Sequence, residues 1–279
     1  ISSEYGVFCF KIVTISSNMQ KIDITIQKIP QNKKFSISSL FKGKYISTIR
    51  CRHVNFQTQT TNVINVCTLD VRGVSSLEES FLSFTSVEPL DGSNKYDTGT
   101  YGLQDADMFS KFTELPQILM LHLKRFDIDM ETQQNSKIDS YFSFSKNIDL
   151  RKYLADQNNV DCSQYELFGV LVHAGTINSG HYTAFIRPTP NSPWHCFNDS
   201  EVNVVDEEKA IYENFGGPDL QTKKNKLHCA YMLIYIRIDS IDRIFSPVSD
   251  DEIPEPLKKF VKDNDQQIKL KKQIKEDEN

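Results

Sequence analysis

The sequence predicts an α+β protein built on an antiparallel sheet. Short runs rich in β-branched and aromatic residues dominate, helical patterns are few, and strands do not alternate with helices as they do in parallel-sheet proteins. The runs at residues 117–126 and 230–238 are apolar enough to be a central and a buried strand, and residues 166–173, 181–187 and 194–197 are predicted as further strands. A capping box that begins at Ser76 opens a short helix extending to about Phe84.

The remaining elements follow in order from local patterns. Residues 45–54 and 63–71 are β-rich and flank the polar residues 57–62, which predicts a long antiparallel hairpin. Residues 91–107, rich in Asp, Gly and Asn, predict a loop. Asp206 can cap a helix over residues 207–214, which the following glycines end.

Composition excludes several classes of protein. The chain has 279 residues, of which 25% are charged, a fraction typical of a globular protein. Its 32 Lys and Arg against 37 Asp and Glu give a net charge of −5, which is unsuited to docking on nucleic-acid phosphates. Its longest apolar runs fall far short of the ~20 residues that span a bilayer, so we expect no membrane protein. Because the chain starts at Ile1 without a leader pattern, we interpret it as a fragment or processed product. Six cysteines without a C-x-x-C pair predict reduced thiols in a nuclear or cytosolic protein.

The most informative segment runs from His181 to Asp199. A hairpin symmetric about Thr189 and Pro190 would place His181 directly opposite Asn198, with their Cβ atoms ~5 Å apart. An Asn carbonyl oxygen there can hold one imidazole nitrogen and leave the other free as a general base, as in a Cys-His-Asn arrangement. The alternative is a surface histidine in a hairpin followed by an Asx turn, and spacing alone leaves both open.

Five sequence blocks carry a resemblance to a known family. They are residues 115–126, 165–175, the Gly180-His181-Tyr182 block to 184, residues 194–202 and residues 230–235. In order and spacing these blocks resemble the ubiquitin-specific protease family of cysteine deubiquitinases. Residues 40–44, 78–81, 88–97, 102–104 and 212–217 are similar to its herpesvirus-associated subfamily, and the resemblance covers about residues 36–260.

The resemblance implies a fold and a domain organisation. It implies the antiparallel, β-rich fingers and palm of a papain-like domain, with the thumb largely absent. Residues 1–35 stay unassigned, residues 36–240 form the partial catalytic domain, and residues 241–279 form a charged C-terminal linker helix. The hairpin at residues 45–71 corresponds to the fingers that grip ubiquitin.

The resemblance also implies catalytic roles for three residues. His181 matches the general base that deprotonates a catalytic cysteine, and Asn198 matches the residue that orients its imidazole. Asp199 matches an acidic residue that supports the oxyanion or a bound water.

Three further residues match the channel for the Gly-Gly tail of ubiquitin. His173 and Tyr182 match residues that line this channel, and Phe126 lies near it. Residues 174–180 match a blocking loop that shifts when ubiquitin binds.

The sequence departs from the family pattern in two places. The Gly-Asn-Thr-Cys box that carries the nucleophile is missing, and we interpret Cys9 as a buried structural cysteine. At the family's zinc site Cys51 remains, but Asp97 and Thr100 stand in the second cysteine pair, so we expect no metal and no cofactor.

These observations lead to one functional hypothesis and one alternative. The chain is a fragment of a thiol isopeptidase that removes ubiquitin from protein conjugates, inactive by itself, with ubiquitin and ubiquitinated proteins as partners and a nuclear and/or cytosolic location. The alternative is a non-catalytic, ubiquitin-binding pseudo-protease. Lys124 and Arg125 either cap a strand end or face the C-terminal carboxylate of the ubiquitin tail, and His122 is interpreted as a structural histidine.

Overall fold

A computed structural model describes residues 37–128, 133–157, 162–218 and 226–247, and separate residues between 249 and 267. The strands are β1 (Gly43–Cys51), β2 (Gln57–Ile64), β3 (Cys67–Asp70), β4 (Glu88–Leu90), β5 (Tyr96–Asp97), β6 (Leu103–Gln104), β7 (Ala106–Glu114), β8 (Ile118–Lys124), β9 (Phe126–Ile128), β10 (Asn135–Lys137), β11 (Asn147–Asp149), β12 (Gln164–Gly175), β13 (Gly180–Ile186), β14 (Trp194–Asn198), β15 (Glu201–Val205) and β16 (His228–Arg237). The α-helices are α1 (Leu77–Thr85), α2 (Glu207–Ala210) and α3 (Ile241–Ile244), and 3-10 turns cover Ile37–Leu40, Arg151–Tyr153, Tyr212–Phe215 and Ile238–Ser240.

Two sheets organise the first of two compact units, which ends at Ile241. The finger sheet has the order β2-β1-β7-β4, and the palm sheet has the order β15-β14-β13-β12-β16-β8-β3 with β11 beside β12. Every strand pair in them is antiparallel except β3 with β8. The predicted α+β class with an antiparallel sheet is therefore confirmed.

The core lies where the palm sheet packs against α1. Leu121 and Leu123 of β8 and Leu233 of β16 are fully buried, and Phe81 of α1 packs in the same cluster. These runs are continuously apolar because a central strand that is covered on both faces loses the polar alternation of a half-exposed strand.

The two predicted helix starts both form. Ser76 caps α1 by accepting a hydrogen bond from the backbone N–H of Glu79, and Asp206 caps α2 by accepting one from the backbone N–H of Lys209. The second helix is shorter than predicted, because after Ala210 the chain tightens into a 3-10 turn that ends at Gly216.

The predicted hairpin at residues 45–71 is wrong in its internal boundaries. The polar residues 57–62, taken as the connection, lie inside β2, which pairs with β1 along its whole length. Residues 63–71 are split, because the first two complete β2 and Cys67–Asp70 joins the palm sheet as β3. An edge strand with mostly exposed side chains can be polar throughout, so polarity did not mark a loop here.

The second compact unit comprises Asp242–Asn279. Its described residues 255–256, 258–260, 262–264 and 266–267 are helical. In the part of the chain that the structure describes, no helix is long and apolar enough to cross a bilayer.

Candidate active site

The candidate site lies at one end of the palm sheet, where three consecutive strands meet. Strands β12 and β13 form a hairpin in which Gly175 pairs with Gly180, so the connecting loop is residues 176–179. Strand β14 follows β13 with Ala184 opposite Phe197. The predicted direct pairing of His181 with Asn198 is therefore wrong by two residues.

His181 and Asn198 nevertheless meet. A shift of two residues keeps every side chain on the same face of the sheet and turns a direct pair into a diagonal one. His181 Nε2 lies 2.5 Å from Asn198 Oδ1. Because the amide oxygen can only accept, Nε2 is the donor of this bond, and in the neutral ring the lone pair lies on Nδ1. Both residues are exposed, so this lone pair is accessible to a ligand.

Asp199 occupies the turn directly after Asn198. Asn198 pairs with Glu201, which leaves Asp199 and Ser200 as a two-residue turn between β14 and β15. Asp199 has a φ of 50°, a left-handed conformation that Asp tolerates better than most residues. Its exposed carboxylate lies one residue from the oxygen that holds His181.

The three predicted tail-channel residues meet in one aromatic cluster. His173 and Tyr182 are a cross-strand pair with ring centroids 4.8 Å apart, and Phe126 meets the His173 ring edge-to-face at 5.1 Å. His181 and Tyr182 are consecutive on β13, so their side chains point to alternating sides of the hairpin. The predicted residues thus form two groups, the His181–Asn198 pair and this aromatic cluster.

Tyr231 is a further member of the cluster that sequence reasoning missed. Its ring lies 5.7 Å from that of Tyr182 and 6.3 Å from that of Phe126. In the pairing of β12 with β16, Leu171 faces Met232 and Val172 faces Ala230, so Tyr231 is the extra residue of a β-bulge. A bulge redirects a side chain out of the regular alternation. The sequence shows an aromatic residue at position 231 but gives no signal for the bulge that turns its ring toward the cluster.

His173 is held in the neutral form. The residue is 5% exposed, and its Nδ1 has no hydrogen-bond partner among the described residues. Burial lowers the pKa of His173, and the nearby Lys137 ammonium lowers that pKa further. A neutral ring with aromatic neighbours presents an apolar surface rather than a charge.

Gly180 leaves the space that the His173 ring occupies. A Cβ atom added at Gly180 would lie 2.0 Å from His173 Nε2 and 2.8 Å from the carbonyl oxygen of Ala174. Neither contact is tolerable, so only glycine fits directly before His181.

Lys137 contacts three chain segments beside the aromatic cluster through hydrogen bonds and an ion pair. Its Nζ donates to the backbone oxygens of Leu227 at 2.6 Å and Gly175 at 2.9 Å, and it pairs with Asp139 at 2.8 Å. The side chain is 4% exposed. These bonds fix the end of β12, from which the loop to His181 departs.

Arg125, next to Phe126, is a structural residue rather than a ligand for a tail carboxylate. It is 1% exposed and donates to the backbone oxygens of Ala230 at 3.2 Å, Ile138 at 3.0 Å, Ser140 at 2.7 Å and Phe215 at 3.4 Å. Lys124 is more exposed and pairs with two aspartates. Of the two roles that the sequence left open for Arg125, contact with the ubiquitin tail is therefore excluded by its burial.

His122 has the contacts of a structural residue. Its Nδ1 lies 3.4 Å from Thr68 Oγ1, and its ring packs edge-to-face on Tyr231. Partial burial lowers the pKa of His122. These contacts agree with its interpretation as a satisfied histidine of β8.

The residues that stand at the position of the family's zinc site make other contacts. Cys51 packs in a small core with Leu90 and Ala106. Asp97 accepts a hydrogen bond from the backbone N–H of Gly99 at 2.8 Å. The described residues contain no group of three or more His, Cys, Asp or Glu placed to hold a metal ion. Cys9, interpreted above as a buried structural cysteine, lies outside the described residues.

The class of protein follows from the fold and the site together. An exposed histidine whose Nε2 meets an asparagine oxygen, on a strand-rich α+β scaffold, is similar to the histidine and asparagine of the Cys-His-Asn site in papain-like cysteine peptidases.

Comparison with known proteins narrows this class to one family. The ubiquitin carboxyl-terminal hydrolase family matches residues 4–235. The chain therefore belongs to that family. The match begins within the segment that the sequence analysis left unassigned.

Named relatives agree with this assignment. The chain is 36% identical over 247 residues to ubiquitin carboxyl-terminal hydrolase 5 of Schizosaccharomyces pombe, covering 85% of this chain and 22% of that protein. It is 36% identical over 223 residues to ubiquitin carboxyl-terminal hydrolase 7 of Drosophila melanogaster, covering 80% of this chain and 20% of that protein. The chain thus spans about a fifth of the length of these curated relatives.

A solved structure has the same fold. The SAGA deubiquitinating module of Ubp8, Sgf11, Sus1 and Sgf73 bound to monoubiquitin matches with a TM-score of 0.63 and 27% identity. The match covers 78% of this chain and 46% of that chain. It confirms the expected papain-like, ubiquitin-specific protease fold.

Proposed function

We propose that the protein is part of a cysteine deubiquitinase that hydrolyses the isopeptide bond after the C-terminal glycine of ubiquitin. The observation that carries the proposal is the 2.5 Å bond between His181 and Asn198 on a fold of this family. The proposed partners are ubiquitin and ubiquitinated proteins, and the similarity to a module bound to monoubiquitin supports this choice.

The geometry supports a distinct catalytic role for each of Asn198, His181 and Asp199. Asn198 Oδ1 holds His181 in the tautomer whose Nδ1 is free, and Nδ1 takes the proton of a cysteine thiol. The thiolate attacks the isopeptide carbonyl, the imidazolium returns its proton to the leaving lysine amine, and water hydrolyses the acyl-enzyme. Asp199 supports the oxyanion or a bound water from the adjacent turn.

We assign the aromatic cluster to the tail of ubiquitin. The rings of His173, Tyr182 and Phe126 form an uncharged aromatic cluster, which suits a Gly-Gly segment that has no side chains. Tyr182 is 56% exposed, so it is available for contact. The loop at residues 176–179 lies at the same end of the hairpin and serves as the blocking loop.

The identity of the nucleophile is part of the proposal. The Gly-Asn-Thr-Cys box does not occur in the 279 residues, so we expect this chain alone to be inactive. We place the parent protein in the herpesvirus-associated subfamily on the motifs at residues 78–81 and 88–97. We also propose a nuclear and/or cytosolic location, which the five free thiols among the described cysteines support.

The same missing box favours one alternative. A protein that keeps the His181–Asn198 pair and the aromatic cluster but has no nucleophile would bind ubiquitin without cleaving its conjugates. This pseudo-protease and the enzyme differ in whether a reactive cysteine faces His181 Nδ1.

Substitution of the base in the full-length parent protein tests the enzyme proposal. We expect His181→Ala to abolish cleavage of a ubiquitin–fluorophore conjugate and Asn198→Ala to cost less, since general acid–base catalysis is worth ~10²–10⁴-fold. His195→Ala is the matched control, because this β14 histidine hydrogen-bonds the backbone of Pro193 and lies outside the proposed machinery. Near-normal turnover by the His181 variant would overturn the assignment.

A second substitution separates orientation from folding. Asn198→Asp keeps an acceptor at the same position and adds a negative charge, which raises the pKa of the imidazole. We expect the acidic limb of the pH–rate profile to move to higher pH. A profile that does not move would show that Asn198 does not contact the catalytic base.

A reaction with a thiol-reactive ubiquitin tests whether the 279-residue chain is inactive by itself. It is incubated with ubiquitin carrying a thiol-reactive C-terminal group and analysed by mass spectrometry. We expect no adduct. An adduct at Cys9 that disappears in His181→Ala would show that the chain holds a complete catalytic site.

A further inference from the structure

The outer edge of β2 differs from the other edges of the two sheets. Between His53 and Asp70 the sequence has no Asp, Glu, Lys or Arg, although a quarter of the whole chain is charged. Strand β2 lies inside this run, is eight residues long and contains no proline. In the finger sheet, among the described residues, only β1 pairs with it.

The other outer strands are blocked in recognised ways. Strand β4 has three residues and carries Pro89 and Glu88. Strand β15 begins at Glu201 and is followed by Asp206. Strand β3 has four residues and contacts α1. Short length, proline, charge and a covering helix are the devices by which proteins protect sheet edges from further pairing, and within the described part of the chain β2 has none of them.

We propose that β2 is a self-association edge that pairs antiparallel with β2 of a second copy of this chain. The backbone N–H and C=O groups on the side of β2 that faces away from β1 provide the bonds, and the two finger sheets become one continuous sheet of eight strands.

Symmetry and charge favour a second copy over another partner. A two-fold axis perpendicular to the sheet places the residue on the axis opposite its own copy, and an axis at the centre of β2 falls on Thr60 or Thr61. A charged strand would repel itself in this arrangement, whereas threonine pairs across an antiparallel ladder are favourable. The uncharged run also offers nothing that would select a charged partner.

The assembly stops at two copies. In each copy the opposite edge of the finger sheet is β4, where Pro89 lacks the N–H that a further strand would need. The contact therefore closes as a symmetric dimer instead of growing into a fibre.

The test uses the whole 279-residue chain and introduces charged residues at the proposed two-fold axis. Sedimentation velocity is measured for the unmodified chain, for Thr60→Lys with Thr61→Lys, and for Thr60→Glu with Thr61→Glu. Both side chains are exposed, so these substitutions leave the core intact. We expect the unmodified chain to dimerise as its concentration rises and each charged variant to dimerise at least about fivefold more weakly.

Mixing the two charged variants distinguishes pairing at this edge from any other effect. The mixture should form a heterodimer, because lysines of one chain then face glutamates of the other. Asn203→Lys, on the exposed side of β15, is the matched control and should associate like the unmodified chain.

Three outcomes would overturn the proposal. The first is an unmodified chain that stays monomeric at the highest soluble concentration. The second is a charged mixture that associates no better than its components. The third is a monomer whose β2 amides are protected from hydrogen exchange, since another part of the same chain would then cover the edge.

Discussion

Replacement of Arg125 by methionine tests whether a buried cation organises the candidate site. The guanidinium donates to four backbone oxygens, and its plane lies near the Phe142 ring, with the guanidinium carbon 5.6 Å from the ring centroid. Methionine fills a similar volume but leaves those oxygens without the donor.

The magnitude follows from the bonds that are lost. Four hydrogen bonds from a charged donor at about 1.5 kcal/mol each amount to about 6 kcal/mol. The unmodified protein also bears a cost for burying the charge, which lowers the pKa of Arg125 and which methionine relieves. We therefore expect Arg125→Met to lower the free energy of unfolding by about 3–5 kcal/mol.

Urea denaturation followed by tryptophan fluorescence measures this change, because Trp194, the only tryptophan in the chain, is buried in the palm core. Arg52→Met is the matched control. Arg52 also makes two ion pairs, with Asp91 and Asp107, but these lie at the surface of the finger sheet, where solvent screening makes ion pairs weak. Equal effects of the two substitutions, or a loss below about 1 kcal/mol for Arg125→Met, would refute the reasoning.

Three further predictions concern the site and the fingers. Gly180→Ala should lower thermal stability and displace the His173 ring, visible as a shifted imidazole signal in NMR spectra; an unchanged signal would contradict the close contact. The pKa of His173 lies below its ordinary value in the folded protein, so as pH falls below about 6.5 the unfolded chain takes up the proton first and stability decreases until the folded-state pKa is passed. His173→Leu should flatten this dependence in urea midpoints between pH 5 and 7.5 relative to the unmodified protein, and an unchanged slope would exclude His173 as its source. Elemental analysis should find no zinc, because Asp97 and Thr100 replace cysteines; near one zinc per chain would refute this.

Sequence patterns predicted the elements whose causes are local. The N-caps of Ser76 and Asp206 and the apolar run of β8 depend on neighbouring residues, and they form where expected. The meeting of His181 with Asn198 was also predictable, because an error of two residues in register does not change the face of a strand.

The misjudged features depend on tertiary context. The polar residues 57–62 are a strand only because β1 pairs with them, and the position of Tyr231 depends on a bulge against β12. The role of Arg125 requires four oxygens from segments up to 105 residues away in the chain. Propensity and periodicity do not encode such contacts.

The position of β16 in the palm sheet constrains how the protein is made. This strand, which is the last of the sheet to leave the ribosome, lies between β8 and β12. About 110 residues separate the end of β8 from the end of β16, which at bacterial or eukaryotic synthesis rates takes roughly 6 to 20 s. During that interval the inner edge of β8, and that of β12 once residue 175 has been made, lack the strand that lies between them. We therefore expect the nascent chain to expose apolar strand edges, and a chain terminated before residue 228 to retain two separate halves of a sheet with no strand to join them.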